Sequence, residues 1–204
     1  MVDADILTIA DARRDQALDI MHRLDLLRRW SEVGSVELVG SVALDVVVKP
    51  DIDLAIYVDV LDPARAFAAL TPLSEVPGMV QTINYVDGRQ WPIHGLYWQI
   101  STIDDGEEWT IDCWVLNSDR DQDSQHDVAR STRRAAEDIR RRPDARATIL
   151  GIKHEAIERG RPVHGRWLYE AVLDDGIRTL DEYAGWMGNQ DPNERSTWMP
   201  RGTR

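Results

Sequence analysis

The chain has 204 residues, 43% hydrophobic and 29% charged, which excludes a wholly disordered protein and provides enough length to bury a core. Lys and Arg number 24 against 36 Asp and Glu, and the resulting charge of −12 repels polyphosphate, so a nucleic-acid partner is disfavoured. The lone cysteine, Cys113, excludes an intrachain disulfide. No apolar run approaches the ~18 residues of a membrane helix, and the first residues lack the basic start and apolar middle of a secretion signal. The expectation is a cytoplasmic protein with no membrane partner.

Leu18, Met21, Leu24 and Leu27 recur at helical spacing and predict a helix over residues 11–32, stopped by Gly34. Strand-like runs follow at 35–39 and 52–58. Asp62 and Pro63 read as the cap and first position of a helix ending near Leu70. Residues 79–86, 93–103 and 109–116 read as an antiparallel meander, with Asp87-Gly88 and Asp105-Gly106 as hairpin signals. After a polar linker over 118–127, the pattern turns helical. Asp144 is expected to cap a helix ending at Gly160, and a further helix spans 165–175 before Gly176. Thr179 and Glu182 form a capping box for a last helix before Gly188. The expected fold class is α/β (α+β): a mixed sheet flanked by helices, then a helical C-terminal part. The boundaries are 1–120, 121–188 and a loose tail over 189–204.

The segment that carries chemistry is Leu38-Val39-Gly40-Ser41, followed after nine residues by Asp51-Ile52-Asp53-Leu54. Strand side chains alternate faces. Ile52, Leu54, Ile56 and Val58 therefore point to a core, and Asp51 and Asp53 point together to the other side. Two carboxylates this close need a positive neutraliser. Oxygen-only ligands suit Mg²⁺, which keeps waters and takes phosphates. Gly40 permits close backbone approach to a phosphate, and Ser41 adds a hydroxyl. In the later run, Ile111, Cys113 and Val115 form an apolar face, and Asp112 shares the opposite face with Thr110 and Trp114. If this strand neighbours the first, three carboxylates converge.

This pattern resembles the nucleotidyltransferase superfamily that includes DNA polymerase β, with hydrophobic-Gly-[Gly/Ser], a spacer, Asp-hydrophobic-Asp, and a later strand aspartate. Gly40, Ser41, Asp51, Asp53 and Asp112 match it, and the likeness covers roughly residues 35–116, closest to the small minimal and antibiotic-modifying bacterial members. The resemblance implies a mixed-sheet nucleotidyltransferase core and two Mg²⁺ ions held by Asp51, Asp53 and Asp112. It further implies transfer of a nucleoside monophosphate, AMP from ATP, to a small-molecule hydroxyl with pyrophosphate release. Asp112 is then the candidate general base, and Gly40 and Ser41 hold the terminal phosphates. Related antibiotic-type enzymes place a lysine of the helical half on the triphosphate, and Lys153, on the face of Ile149 and Ile157, is the candidate here.

Several features have simpler readings. Lys49 reads as a solvated loop lysine, and the arginines from Arg130 to Arg146 as a solvated helix face partnered by Glu137 and Asp138. The tryptophans near the meander read as core, with Trp114 alone a candidate to stack on a substrate ring. His126, His154 and His164 give no zinc pattern. The alternatives are transfer to a protein or RNA end, or a nucleotide-binding regulator without turnover. The helical half is a candidate surface for a homodimer, which no motif specifies.

Overall fold

A computed structural model describes residues 4–75, 78–118, 127–161, 163–191 and 198–202. The predicted N-terminal helix is two helices, α1 (Ala4–Arg23) and α2 (Leu26–Ser31), broken at Asp25, whose φ is 53°. The break carries Leu26 and Trp30 fully into the core and leaves Leu27 46% exposed, although the leucine spacing runs through it unbroken. Gly34 then passes so close to the strand that carries Tyr57 that an added Cβ would lie 2.3 Å from the Tyr57 carbonyl oxygen.

The strands are β1 (Ser35–Val39), β2 (Asp51–Val58), β3 (Val80–Gly88), β4 (Gly95–Asp104) and β5 (Glu107–Asn117). They form the mixed sheet that the sequence predicts, in the order β1-β2-β5-β4-β3. β1 lies antiparallel to β2, β2 parallel to β5, and β5, β4 and β3 are successive antiparallel neighbours. Asp105 and Gly106, at φ of 48° and 81°, make the two-residue turn between β4 and β5. Asp87 and Gly88 are not a turn: both remain paired within β3, opposite Leu96 and Gly95, and the connection runs through the next six residues.

Two short helices sit between strands, α3 (Gly40–Ala43) and α4 (Pro63–Leu70). Asp62 caps α4 by accepting from the Ala64 and Arg65 amides. One face of the sheet buries Ile52, Leu54, Ile56, Ile111, Cys113 and Val115 against α1, α2 and α4. Each large aliphatic chain so buried stabilises the fold by about 1.5–3 kcal/mol.

The C-terminal helices are α5 (Val128–Arg141), α6 (Pro143–Glu158), α7 (Gly165–Leu173) and α8 (Leu180–Met187). Their core also takes in Ala10, Leu44 and Val46 from the N-terminal half. The capping box at Thr179 and Glu182 is present. Asp144 is not the cap of α6. The helix starts at Pro143, so Asp144 lies in its first turn and pairs with Arg178 at 3.0 Å. The predicted linker lies outside the described residues from 119 to 126, along with His126; its last residue, Asp127, is buried and caps α5. Within the stretch expected as a loose tail, Trp198 is 8% exposed in the helical core and its Nε1 donates to Asp174 at 2.7 Å. Among the described residues no helix is long and apolar enough to cross a membrane.

Candidate active site

The sheet's second face carries the acidic residues. Alternation along β2 puts Asp51 and Asp53 there, and the parallel register sets Asp53 beside Asp112 and Asp51 beside Thr110. Each of the three carboxylates offers an oxygen within 4.8 Å of the other two, so the convergence expected from the sequence is present. Burial first, then the charges of Asp51 and Asp112, push the Asp53 carboxyl up to about 7. Lys153 and the Ser41 amide, hydrogen-bonded to Asp53, pull the other way. Burial and Asp112 also raise Asp51, while Thr110, which donates its hydroxyl to Asp51 at 3.3 Å, lowers it.

Gly40 has φ of 66°, and a Cβ there would fall 1.9 Å from Asp53 Oδ2. The chain therefore crosses directly over Asp53 at the end of β1, which no other residue type allows. Ser41 opens α3 with its amide turned to the carboxylate.

The helical half closes over this face through specific bonds. Tyr57 on β2 donates to the buried Asp127 at 3.2 Å, fixing the start of α5. From α6, Arg146 donates to the Asp45 carbonyl at 2.8 Å and Lys153 to the Val46 carbonyl at 2.9 Å. Two cations thus clamp the segment that follows α3. Lys153 also donates to the Tyr169 hydroxyl at 3.0 Å. Burial lowers this lysine to about 8, against the pull of Asp53 and Asp51.

Between the halves lies a cleft of about 810 Å³ with Gly40, Ser41, Asp51, Asp53 and Lys153 on its walls, within the usual range of small-ligand sites. Lys49 stands exposed at its edge. Trp98 and Trp109 are fully buried and Trp91 is 46% exposed, whereas Trp114 faces the cleft and packs on Tyr97 at 4.6 Å between centroids.

The arginines from Arg130 to Arg146 do not make one patch. Arg133 pairs with Glu37 at 2.9 Å, Arg146 with Asp11 and Asp45, and Arg142 donates to the Leu173 carbonyl at 3.0 Å. Of the expected partners, Glu137 and Asp138 lie 3.9 and 3.8 Å from Arg141.

Two residues beside the cluster have no place in the sequence motif. Tyr97 Oη donates to Asp112 Oδ1 at 2.7 Å, and Gln99 Nε2 donates to the same oxygen at 3.2 Å. The signal for them is the Asp105-Gly106 turn: a two-residue loop pairs Asp104 with Glu107 and therefore Gln99 with Asp112.

The donor set, three carboxylates with no nitrogen or sulfur ligand, fits a hard divalent cation. Burial and the two neighbouring carboxylates raise Asp53, the direction that a bound cation would oppose.

No family model matches the sequence, and no curated protein matches it. The fold has solved relatives. The structure of the GLD-2/RNP-8 complex aligns with all of this chain and 72% of the other, at TM-score 0.57 and 10% identity. The E. coli MS115-1 CdnC:HORMA-deltaN complex aligns with 89% of this chain and 66% of the other, at TM-score 0.50 and 16% identity. This chain shares the fold of these structures. The non canonical Poly(A) polymerase complex GLD-2 – GLD-3 also aligns, over 96% of this chain and 62% of the other, at TM-score 0.48 and 12% identity. In this fold Asp51 and Asp53 line the cleft between the sheet and the helical half, and Asp112 stands beside Asp53 on the neighbouring strand.

Proposed function

We propose that this protein is a metal-dependent nucleotidyltransferase that moves a nucleoside monophosphate, AMP from ATP, to a hydroxyl of a small-molecule acceptor and releases pyrophosphate. The observation that carries the reading is the convergence of Asp51, Asp53 and Asp112 within 4.8 Å of one another, with Gly40 crossing over Asp53 and with Asp51 and Asp53 lining the cleft. These aspartates hold Mg²⁺, two ions in this reading, which supplies charge neutralisation and Lewis acidity at the phosphoryl group when bound.

The chain's own residues do the rest. Gly40 lets the backbone lie against Asp53, and Ser41 beside it on the cleft wall offers a hydroxyl to phosphate oxygens. Lys153 reaches the triphosphate by exchanging one of its two present hydrogen bonds, to the Val46 carbonyl or the Tyr169 hydroxyl, for a phosphate oxygen. The walls from both halves orient the reactants and keep water out. Asp112 takes the acceptor's proton as general base. The charge of −12 opposes a nucleic-acid acceptor.

The test is incubation with labelled ATP, Mg²⁺ and a panel of aminoglycosides, lincosamides and candidate proteins. Pyrophosphate release that depends on one hydroxylated small molecule, and is lost in Asp53→Asn, is the expected result. Binding of Mg-ATP with no release for any acceptor would replace the enzyme reading with a nucleotide-binding regulator.

A further inference from the structure

Tyr97 and Gln99 sit on β4, which contributes nothing to the acidic motif, yet both spend their polar atoms on it. Their bonds to Asp112 end on one oxygen, Oδ1, at 2.7 and 3.2 Å. Gln99 Nε2 also donates to Tyr97 Oη at 3.1 Å, so the two donors form a closed triangle with the carboxylate. Both acceptors lie on the same side of Gln99 Nε2 and share its donor, and Oδ1 accepts from both side chains. The triangle is held on two sides. The β4–β5 register puts Gln99 opposite Asp112 and Tyr97 opposite Trp114, and the Tyr97 ring packs on Trp114 at 4.6 Å.

We propose that Tyr97 and Gln99 are positioning residues for the metal centre: by occupying Oδ1 they fix the plane of the Asp112 carboxylate and leave Oδ2 as its one cation-facing oxygen. The inference rests on the metal-site reading above and adds to it which oxygen binds and what orients it. A carboxylate free to rotate would lose entropy on binding and could turn both oxygens toward Asp53, whereas a fixed one presents a single preset ligand. Partners of this kind typically contribute 10–100-fold to metal affinity. Asp51 and Asp53 are oriented differently, by the Thr110 hydroxyl and the Ser41 amide, so the effect is specific to the β5 ligand.

The experiment is titration of the metal-free 204-residue chain with Mn²⁺, with free ion read by electron paramagnetic resonance. Tyr97→Phe keeps the ring on Trp114 and removes only the hydroxyl; Gln99→Met keeps the chain length and removes only the amide. Each is expected to weaken Mn²⁺ binding about tenfold, with the metal-free melting midpoint within a few degrees of the native protein. Because Gln99 bonds both Tyr97 and Asp112, losing either residue loosens the whole triangle. The double variant is therefore expected to bind only about as weakly as the single ones, and not about 100-fold more weakly than the native protein. Single variants that titrate like the native protein, or losses that multiply in the double variant, would overturn the proposal while leaving the metal site intact. A native protein that takes up no Mn²⁺ would overturn the metal site and this proposal together.

Discussion

β2 and β5 present two faces built from alternate residues, and the faces have opposite energetics. On one, Ile52, Leu54, Ile56, Ile111, Cys113 and Val115 are each at most 1% exposed and hold the fold together. One residue along, Asp51, Asp53 and Asp112 crowd within 4.8 Å and repel one another. Period-two alternation lets a single pair of strands carry both, because the backbone does not distinguish them. The lesson is that the apolar face must supply stability that the acidic face removes, and that rules for a good core fail on the side where chemistry is done.

The sharpest way to break this contrast is to neutralise the acidic face. Asp53→Asn or Asp112→Asn is expected to lower pyrophosphate release on the order of 10³-fold, while raising the metal-free melting midpoint at pH 8. If a variant lost stability as well as turnover, the two faces would not be opposed. Next comes Leu54→Ala, on the same strand but facing the core, expected to cost about 3 kcal/mol in urea unfolding whether or not Mg²⁺ is present.

Gly40→Ala joins the two effects. It forces a left-handed φ on a residue with a Cβ and drives that Cβ into Asp53. A loss of about 1–3 kcal/mol is expected, together with loss of the thermal stabilisation given by Mg²⁺, measured by melting with and without the ion.

The smallest effect is on pH dependence. Asp53 titrates at about 7 when folded, against an ordinary 3.8. Between roughly pH 4 and 7 the folded chain keeps a proton that the unfolded chain has released, so stability falls as pH rises through that window. Asp51, also raised, acts in the same direction. Asp104, lowered by Gln16 and Arg23, and Asp144, lowered by Arg178, lose their contribution only below about pH 4, outside the window. The metal-free protein is expected to melt a few degrees higher at pH 5 than at pH 8, and Asp53→Asn to flatten the difference.

Asp51 and Asp53 were legible from local alternation and one spacing, and Asp112 as an acid on a strand otherwise built for burial, but its meeting with the other two depends on the β2–β5 pairing. The Asp105-Gly106 turn also made the β4–β5 register readable, and with it the position of Gln99 opposite Asp112. The motif alone gave no reason to follow that register to Tyr97. The β2–β5 register was not readable, since a parallel pair some 60 positions apart in sequence has no turn to set it. Local signals failed where the conformation is unusual or the partner remote. The leucine spacing hides the break at Asp25, a non-glycine residue with positive φ. Asp87-Gly88 looks like a turn, but the cross-strand bonds of β3 continue through it. Asp144 looks like a cap until Pro143 takes the first helical position. Trp198 gives no local sign that it returns to Asp174.

Cys113 lies between Asp112 and Trp114 on β5 and is fully buried, with its thiol raised by desolvation. It is the one thiol in the chain, so an alkylating reagent has a single target and reaches it only when β5 separates from its neighbours. The rate of alkylation is therefore a clock for exposure of the strand that carries Asp112. Slowing of that clock by a bound ion or nucleotide reports ligation at the acidic face without any knowledge of the acceptor.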